Sequence, residues 1–153
     1  MKAQLVFEPK PTPEDVRFLE ERLYEFNAAA TGIHDGRLLA FFVRGDGGDI
    51  LAGLCGHTWG GVCEVRQLWV HESLRGQGVG RALIEAAEAE ARRRGCRQML
   101  VETHSFQGPD FYHKLGFDQI AHIEDNPLGH QHMVFRKMLA TETNIQPPTG
   151  NSP

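Results

Sequence analysis

Three glycines and an arginine are concentrated in one short segment, Arg75-Gly76-Gln77-Gly78-Val79-Gly80. The segment lies between a strand-like run, residues 64–70, and a helix-like run, residues 81–94. A glycine-rich turn that leads into a helix presents free backbone N–H groups and the positive end of the helix dipole to an anion. The pattern therefore predicts a site for a phosphate or a pyrophosphate group.

Two common phosphate-binding motifs do not fit this segment. A P-loop requires a Lys-Ser or Lys-Thr pair after its last glycine, and position 81 is an arginine. A dinucleotide-binding fingerprint requires a third glycine, and Arg81 again occupies that place. We therefore expect the phosphate to belong to another kind of molecule.

A better match is Arg-x-x-Gly-x-Gly, formed by Arg75, Gly78 and Gly80 after a strand that ends in Leu68-Trp69-Val70. About 30 residues downstream follows Phe111-Tyr112-His113-Lys114-Leu115-Gly116-Phe117. Together these motifs resemble the acetyl-CoA-binding motif and the closing signature of the GNAT superfamily of N-acetyltransferases, in their small, single-domain bacterial form. The resemblance covers roughly residues 64–123.

The resemblance implies a fold and a co-substrate. The fold would be α/β (α+β): a mixed, mainly antiparallel central sheet with helices on both faces and central parallel strands that splay apart. The co-substrate would be acetyl-CoA. The residues that would hold it are Leu68, Trp69, Val70, Arg75, Gly76, Gln77, Gly78, Val79, Gly80, Arg81, Ser105, Gln107 and Tyr112. Ser105 and Gly108 depart from the family, which often has Asn and Ala there.

The resemblance also implies roles in acyl transfer from a thioester to an amine. Tyr112 matches the position that protonates the leaving CoA thiolate, and a tyrosine is protonated at neutral pH. Glu64 aligns with the general base of some members. Glu102, His104, His57 and a bound water remain alternative bases, since histidine titrates near neutral pH.

The predicted function is acetyl transfer from acetyl-CoA to a primary amine of a small molecule, peptide or protein, by direct attack in a ternary complex. The alternative is a non-catalytic module that senses or binds acyl-CoA. The sequence does not identify the acceptor amine. A homodimer is compatible with the resemblance, because many relatives pair through sheet edges or their last strands.

The elements that must position these residues follow from hydrophobic periodicity and turn signals. We expect a first strand at residues 5–7, a proline-rich connection, and a helix that begins at Pro13 with Thr12 as its cap. Residues 27–36 are small and polar, and we expect short helical turns there. The other expected strands are residues 38–44, 50–59, 62–70, 97–103, 117–123 and 130–138, and the other expected helices are residues 81–94 and 106–115.

Composition bounds the remaining possibilities. A chain of 153 residues with 41% hydrophobic residues suits one globular domain, and we expect it over residues 1–139 with a disordered tail at 140–153. A net charge of -4 disfavours nucleic-acid or membrane binding. Three cysteines and eight histidines show no metal-type spacing, so we expect reduced thiols, no metal and a cytoplasmic location.

Overall fold

A computed structural model describes residues 1–140 and divides the chain into two compact units. The first unit, Met1–His34, contains helix α1 (Pro13–Thr31). The hydroxyl of Thr12 accepts a hydrogen bond from the backbone N–H of Asp15, and Pro13 opens the first turn. The predicted start of this helix is therefore confirmed, because its cap and first-turn residues satisfy the N–H groups that a helix end leaves free.

Two expectations for this first unit were wrong. No strand forms at residues 5–7; the run is only three residues long, and Pro9, Pro11 and Pro13 after it cannot donate to a sheet ladder. Helix α1 also continues through residues 27–31, because three consecutive alanines are strong helix formers. The helix ends at Gly32, which adopts the left-handed conformation that glycine tolerates best.

The second unit begins at Asp35 and contains a six-stranded sheet. The strands are β1 (Arg37–Arg44), β2 (Ile50–Trp59), β3 (Val62–Val70), β4 (Gln98–His104), β5 (Asp118–Glu124) and β6 (Gln131–Met138). Their order is β1-β2-β3-β4-β6-β5. Among residues 1–140, β3 and β4 are the one parallel pair and the other neighbours are antiparallel. This confirms the mixed, mainly antiparallel sheet.

Two helices accompany the sheet in this unit, α2 (Val79–Arg93) and α3 (Pro109–Lys114). Helix α2 connects the parallel strands β3 and β4, as such a crossover requires. It buries one face that contains Leu83, Ile84, Ala87 and Ala91 and contacts β1, β2 and β3. After α2, Gly95 takes a positive φ of 77° and lets the chain turn toward β4.

The core lies between these helices and the sheet. Its largest fully buried side chains are those of Phe117, Phe135, Leu54, Ile84 and Met99. Cys63 and Cys96 are buried and unpaired with each other, and Cys55 is half-buried and free. No helix within residues 1–140 is long and apolar enough to cross a membrane. The predicted tail, apart from Ala140, lies outside the described residues.

Candidate active site

The central feature of the site is a separation of β3 from β4. The two strands pair in parallel only from Val62 with Gln98 to Val65 with Val101. Beyond that point β3 runs on to Val70 and β4 to His104 without further pairing. The backbone of β3 from Leu68 to Val70 pairs with β2 on one side, so its other edge faces an open cleft. Free N–H and C=O groups at such an edge can receive another extended chain.

A bulge in β3 explains why the strands separate there. Cys55 of β2 pairs with Gln67, but the next residue, Gly56, pairs with Val65, so Arg66 is an extra residue. A bulge bends its strand and increases the local twist. A Cβ at Gly56 would collide with the carbonyl oxygen of Glu64, so only glycine allows this close approach of β2 and β3.

The glycine loop, residues 75–80, lies at one end of the cleft. Gly76 and Gly78 have φ angles of 72° and 78°, in the left-handed region that favours glycine. A Cβ at either position would meet no heavy atom within 4 Å, so space remains there for a ligand. Gly78 caps α2 with no side-chain hydrogen bond, and no acidic residue lies in the first turn of α2. The free N–H groups of this turn therefore suit an anion.

Side chains around the loop hold its shape. The Nε atom of Arg75 donates to the carbonyl oxygen of Val70 at 3.1 Å. The amide nitrogen of Gln77 donates to the carbonyl oxygen of Ser73 at 2.9 Å. Arg81 donates through Nε to Glu85 at 2.8 Å on the exposed face of α2. These contacts indicate that the Arg75 and Gln77 side chains stabilise the conformation of the loop. The backbone N–H groups of the loop remain available to a ligand.

The cleft has a volume of about 1150 Å³ and extends from the glycine loop to α3. Most residues predicted to hold acetyl-CoA line it: Leu68, Trp69, Val70, Arg75, Gly76, Gly78, Val79, Gly80, Arg81, Gln107 and Tyr112. Gln77 and Ser105 are not among its lining residues. The hydroxyl of Ser105 instead accepts a hydrogen bond from the backbone N–H of Gln131 at 3.0 Å, which fastens the end of β4 to β6.

Tyr112 lies on α3 at the core side of the cleft. Its ring is packed among Phe111, Phe117 and Phe135, with ring centroids 5.1 to 5.9 Å away, and the residue is only 7% exposed. Burial raises the pKa of Tyr112 to about 12, because the phenolate would lose its hydration. The phenol therefore stays protonated, as a hydrogen-bond donor in the cleft must.

Glu64 lies on another part of the sheet. It is opposite His57 of β2, with 3.9 Å between the Nδ1 atom of His57 and a carboxylate oxygen of Glu64. That separation exceeds hydrogen-bond length, and Nδ1 of His57 is buried without a partner among the described residues. Neither side chain lines the cleft. The Glu64 side chain is about 45% exposed, so its role as a base stays a prediction.

Two of the alternative bases, Glu102 and His104, do line the cleft. They meet His132 of β6, a residue to which no sequence motif assigns a role. The Nε2 atom of His132 lies 2.9 Å from a carboxylate oxygen of Glu102, and its ring contacts that of His104 edge-on at 4.9 Å. The ring of Phe106 stacks on His104 at 5.3 Å. This cluster forms because β4 pairs with β6. Its members are far apart in the sequence, so no local motif predicts it.

Gln107 joins the loop after β4 to the same cluster. Its side-chain oxygen accepts hydrogen bonds from the backbone N–H of His104 at 2.9 Å and from the hydroxyl of Thr103 at 3.4 Å. The same oxygen lies 2.8 Å from Nδ1 of His104. Other lining residues to which no sequence motif assigned a role include Gln67, Leu74 and Thr103. No group of three possible metal ligands occurs within residues 1–140.

Comparisons with known proteins agree with this geometry. The model of the acetyltransferase (GNAT) family matches residues 4–117. Acetyltransferase Atu2258 of Agrobacterium fabrum is 34% identical over 110 residues, which span 72% of this chain and 80% of the relative. Blasticidin-S acetyltransferase of Streptomyces morookaense is 42% identical over 91 residues, 59% of this chain and 67% of the relative.

A solved structure extends the likeness to the fold. The crystal structure of an acetyltransferase from Agrobacterium tumefaciens superposes with a TM-score of 0.79 at 30% identity, over 90% of this chain and all of that one. The size of the cleft and the open glycine loop fit a CoA thioester. The chain therefore belongs to the GNAT family of acetyltransferases, with acetyl-CoA as co-substrate.

Proposed function

We propose that this protein is an N-acetyltransferase that moves the acetyl group of acetyl-CoA to a primary amine of a small molecule, peptide or protein. The amine would attack the thioester directly while both molecules are bound. The observation that carries the proposal is one continuous cleft that joins the glycine loop, the open edge of β3 and Tyr112. A single CoA thioester can contact all three.

The glycine loop would hold the pyrophosphate of the donor. The backbone N–H groups in the first turn of α2 have no side-chain cap and no acidic neighbour in that turn, so they attract negative charge. Arg75 braces the loop through Val70, and its positive charge adds to the field at the same end of the cleft. Recognition then depends on backbone geometry more than on particular side chains.

The free edge of β3 would hold the pantetheine arm. Leu68, Trp69 and Val70 use one edge for pairing with β2 and leave the other toward the cleft. The amide groups of pantetheine can pair with this edge as an added strand would. The thioester would then lie further along the cleft, where α3 contributes Tyr112.

Tyr112 would donate a hydrogen bond to the departing sulfur. With its pKa near 12, it is a weaker acid than an ordinary thiol with pKa about 8.5. Complete proton transfer would cost roughly 5 kcal/mol, at about 1.4 kcal/mol per pKa unit. A hydrogen bond that strengthens as charge develops on sulfur avoids this cost, and solvent completes the protonation.

The experiment that tests the proposal is an assay of CoA thiol release with a panel of amines. The panel contains alkyl monoamines, diamines, amino acids, an amino-terminal peptide and blasticidin S, because one relative is named for that compound. Mass spectrometry identifies the acetylated product. A protein that binds acetyl-CoA but gives no acetylated amine fits the alternative, a non-catalytic acyl-CoA-binding module.

A further inference from the structure

The hydrogen bonds at Gln107 fix the proton on the ring of His104. A backbone N–H can only donate, so the side-chain atom of Gln107 that lies 2.9 Å from the backbone nitrogen of His104 must be the amide oxygen. The same oxygen lies 2.8 Å from Nδ1 of His104. Nδ1 must therefore carry a hydrogen. In the neutral ring the lone pair is then on Nε2, for which no partner occurs within residues 1–140.

Neighbouring side chains also fix the orientation of this ring. Phe106 stacks on His104, and His132, its cross-strand partner on β6, contacts it edge-on. The titratable groups around His104 are His132, Glu102, which is hydrogen bonded to His132, and His130, which contacts Phe106 at 4.9 Å. The Glu102 carboxylate therefore belongs to the same cluster, in contact with His132 rather than with His104 itself.

The position of His104 complements that of Tyr112. Residues alternate between the two faces of a strand, and on β4 the buried positions are Met99, Val101 and Thr103. His104 therefore lies on the face opposite Tyr112, which belongs to the same buried cluster as Val101. Both residues line the cleft. Acyl transfer requires that one proton be removed from the amine and that a hydrogen bond be donated to the sulfur. His104 and Tyr112, on opposite faces, can meet the first and the second requirement respectively.

We propose that His104 is the general base of the reaction and that Gln107 is the residue that positions it; this rests on the proposed function. The amine nitrogen forms a bond to the acetyl carbon and gives its proton to Nε2 of His104. The carbon–sulfur bond breaks, and its electron pair stays on sulfur, which accepts a hydrogen bond from Tyr112. The proton on His104 then passes to water, and the thiolate takes one from water, so the step balances.

The first test is nitrogen-15 NMR of the histidine-labelled protein, with His104→Gln used to assign the signal of His104. The chemical shifts of the two ring nitrogens distinguish the tautomers directly, without any substrate. We expect a protonated Nδ1 and a bare Nε2 in the neutral ring. A neutral ring with its proton on Nε2 overturns the inference.

The second test compares kinetics of His104→Gln with wild type, using the fastest alkylamine of the panel. General-base catalysis contributes about 10²- to 10⁴-fold, so we expect kcat to fall at least about 100-fold with acetyl-CoA affinity preserved. The fall of rate toward acid pH, where an imidazole base is protonated, should disappear. The matched control is His122→Gln on β5, where the imidazole contacts Glu124.

Variants of Gln107 test the positioning role. Gln107→Leu removes the acceptor for the Nδ1 proton and should lower kcat about tenfold, with the tautomer signal changed. Gln107→Glu keeps an acceptor oxygen, so it should restore most of the rate. Its negative charge should move the acid limb of the pH profile to higher pH, since it stabilises the protonated imidazole.

The outcomes separate the two proposals. A wild-type protein that acetylates no amine overturns the proposed function. If the wild type is active and the His104→Gln variant keeps both its rate and the fall of rate toward acid pH, the role of His104 is overturned and the proposed function stands. The inference is also overturned, with the proposed function intact, if Glu64→Gln rather than His104→Gln removes the acid limb.

Discussion

Tyr112 combines two properties that rarely occur together, since it is almost fully buried yet reaches the lining of the cleft. Three aromatic neighbours fix its ring, and burial keeps its hydroxyl protonated. A hydrogen bond from such a group costs little reorganisation when charge develops on the leaving sulfur. The sequence indicated this residue by motif, but only the structure shows why the phenol is held in place.

Replacing Tyr112 with phenylalanine removes this donor and leaves the ring packing intact. We expect kcat to fall about 100- to 1000-fold, with little change in the affinity for acetyl-CoA, since one pre-organised donor in an active site contributes on that order. The matched control is Tyr24→Phe in α1, which makes the same change at the other tyrosine. Unchanged kcat in Tyr112→Phe would contradict the role of the hydroxyl.

Gly78 and Gln77 provide a contrast between backbone and side chain in the glycine loop. Alanine at Gly78 must adopt a positive φ, which costs roughly 1–2 kcal/mol, and it places a methyl group in the space of the ligand. We expect acetyl-CoA affinity, measured by calorimetry, to fall at least about tenfold for Gly78→Ala. Gln77→Ala loses only a bond to Ser73, so its affinity should change less. Equal losses would show that the backbone is not the main binding element.

The separation of β3 from β4 depends on the bulge at Arg66 and on Gly56 opposite it. The strands themselves were readable from the sequence: β2 and β3 begin and end where hydrophobic alternation and the flanking glycines predicted. The bulge was not, because it results from the register of two paired strands. Likewise, His132 reaches Glu102 and His104 through pairing between β4 and β6, which a scan along the chain cannot detect.

A methyl group at Gly56 tests the steric origin of this separation. Gly56→Ala must push β2 away from the carbonyl oxygen of Glu64, and such overpacking costs about 3 kcal/mol. Chemical denaturation should show this loss of stability. Gly47→Ala in the β1–β2 turn is the control, since a Cβ there meets its nearest atom at an ordinary 3.8 Å. Equal stability of the two variants would rule out a steric need for glycine in the bulge.

Over the whole molecule, three buried acids link stability to pH, because burial raises the pKa of Cys63, Cys96 and Tyr112. Burial raises the pKa of Cys63 to about 12, as it does that of Tyr112. Between their unfolded and folded pKa values, the unfolded chain has lost these protons while the native protein retains them. The unfolded state then binds fewer protons, so the free energy of unfolding must fall as pH rises.

We expect the free energy of unfolding to fall by on the order of 3 kcal/mol between about pH 9 and pH 11, from urea titrations. Tyr112→Phe should lessen the fall and Cys63→Ala should lessen it further, because neither replacement ionises. A flat profile for wild type across this range would contradict the burial of these three groups in the native state.

The family, the fold and the donor could be predicted from two motifs because both encode local structure: a glycine turn before a helix, and an aromatic helix before a strand. The exceptions have physical causes. The run at residues 5–7 is too short and too near prolines to form a strand. The hydroxyl of Ser105 accepts a hydrogen bond from the backbone of Gln131 at the start of β6. The role of Glu64, which the register of β3 places opposite His57, stays a prediction.

The most direct test of the central claim is a paired measurement on one protein preparation: acetyl-CoA binding by calorimetry, and CoA thiol release across the amine panel with mass analysis of the products. We predict saturable binding, and thiol release that is matched by an equal amount of N-acetylated amine. Binding without any amine-dependent thiol release would contradict the claim that this protein is an N-acetyltransferase.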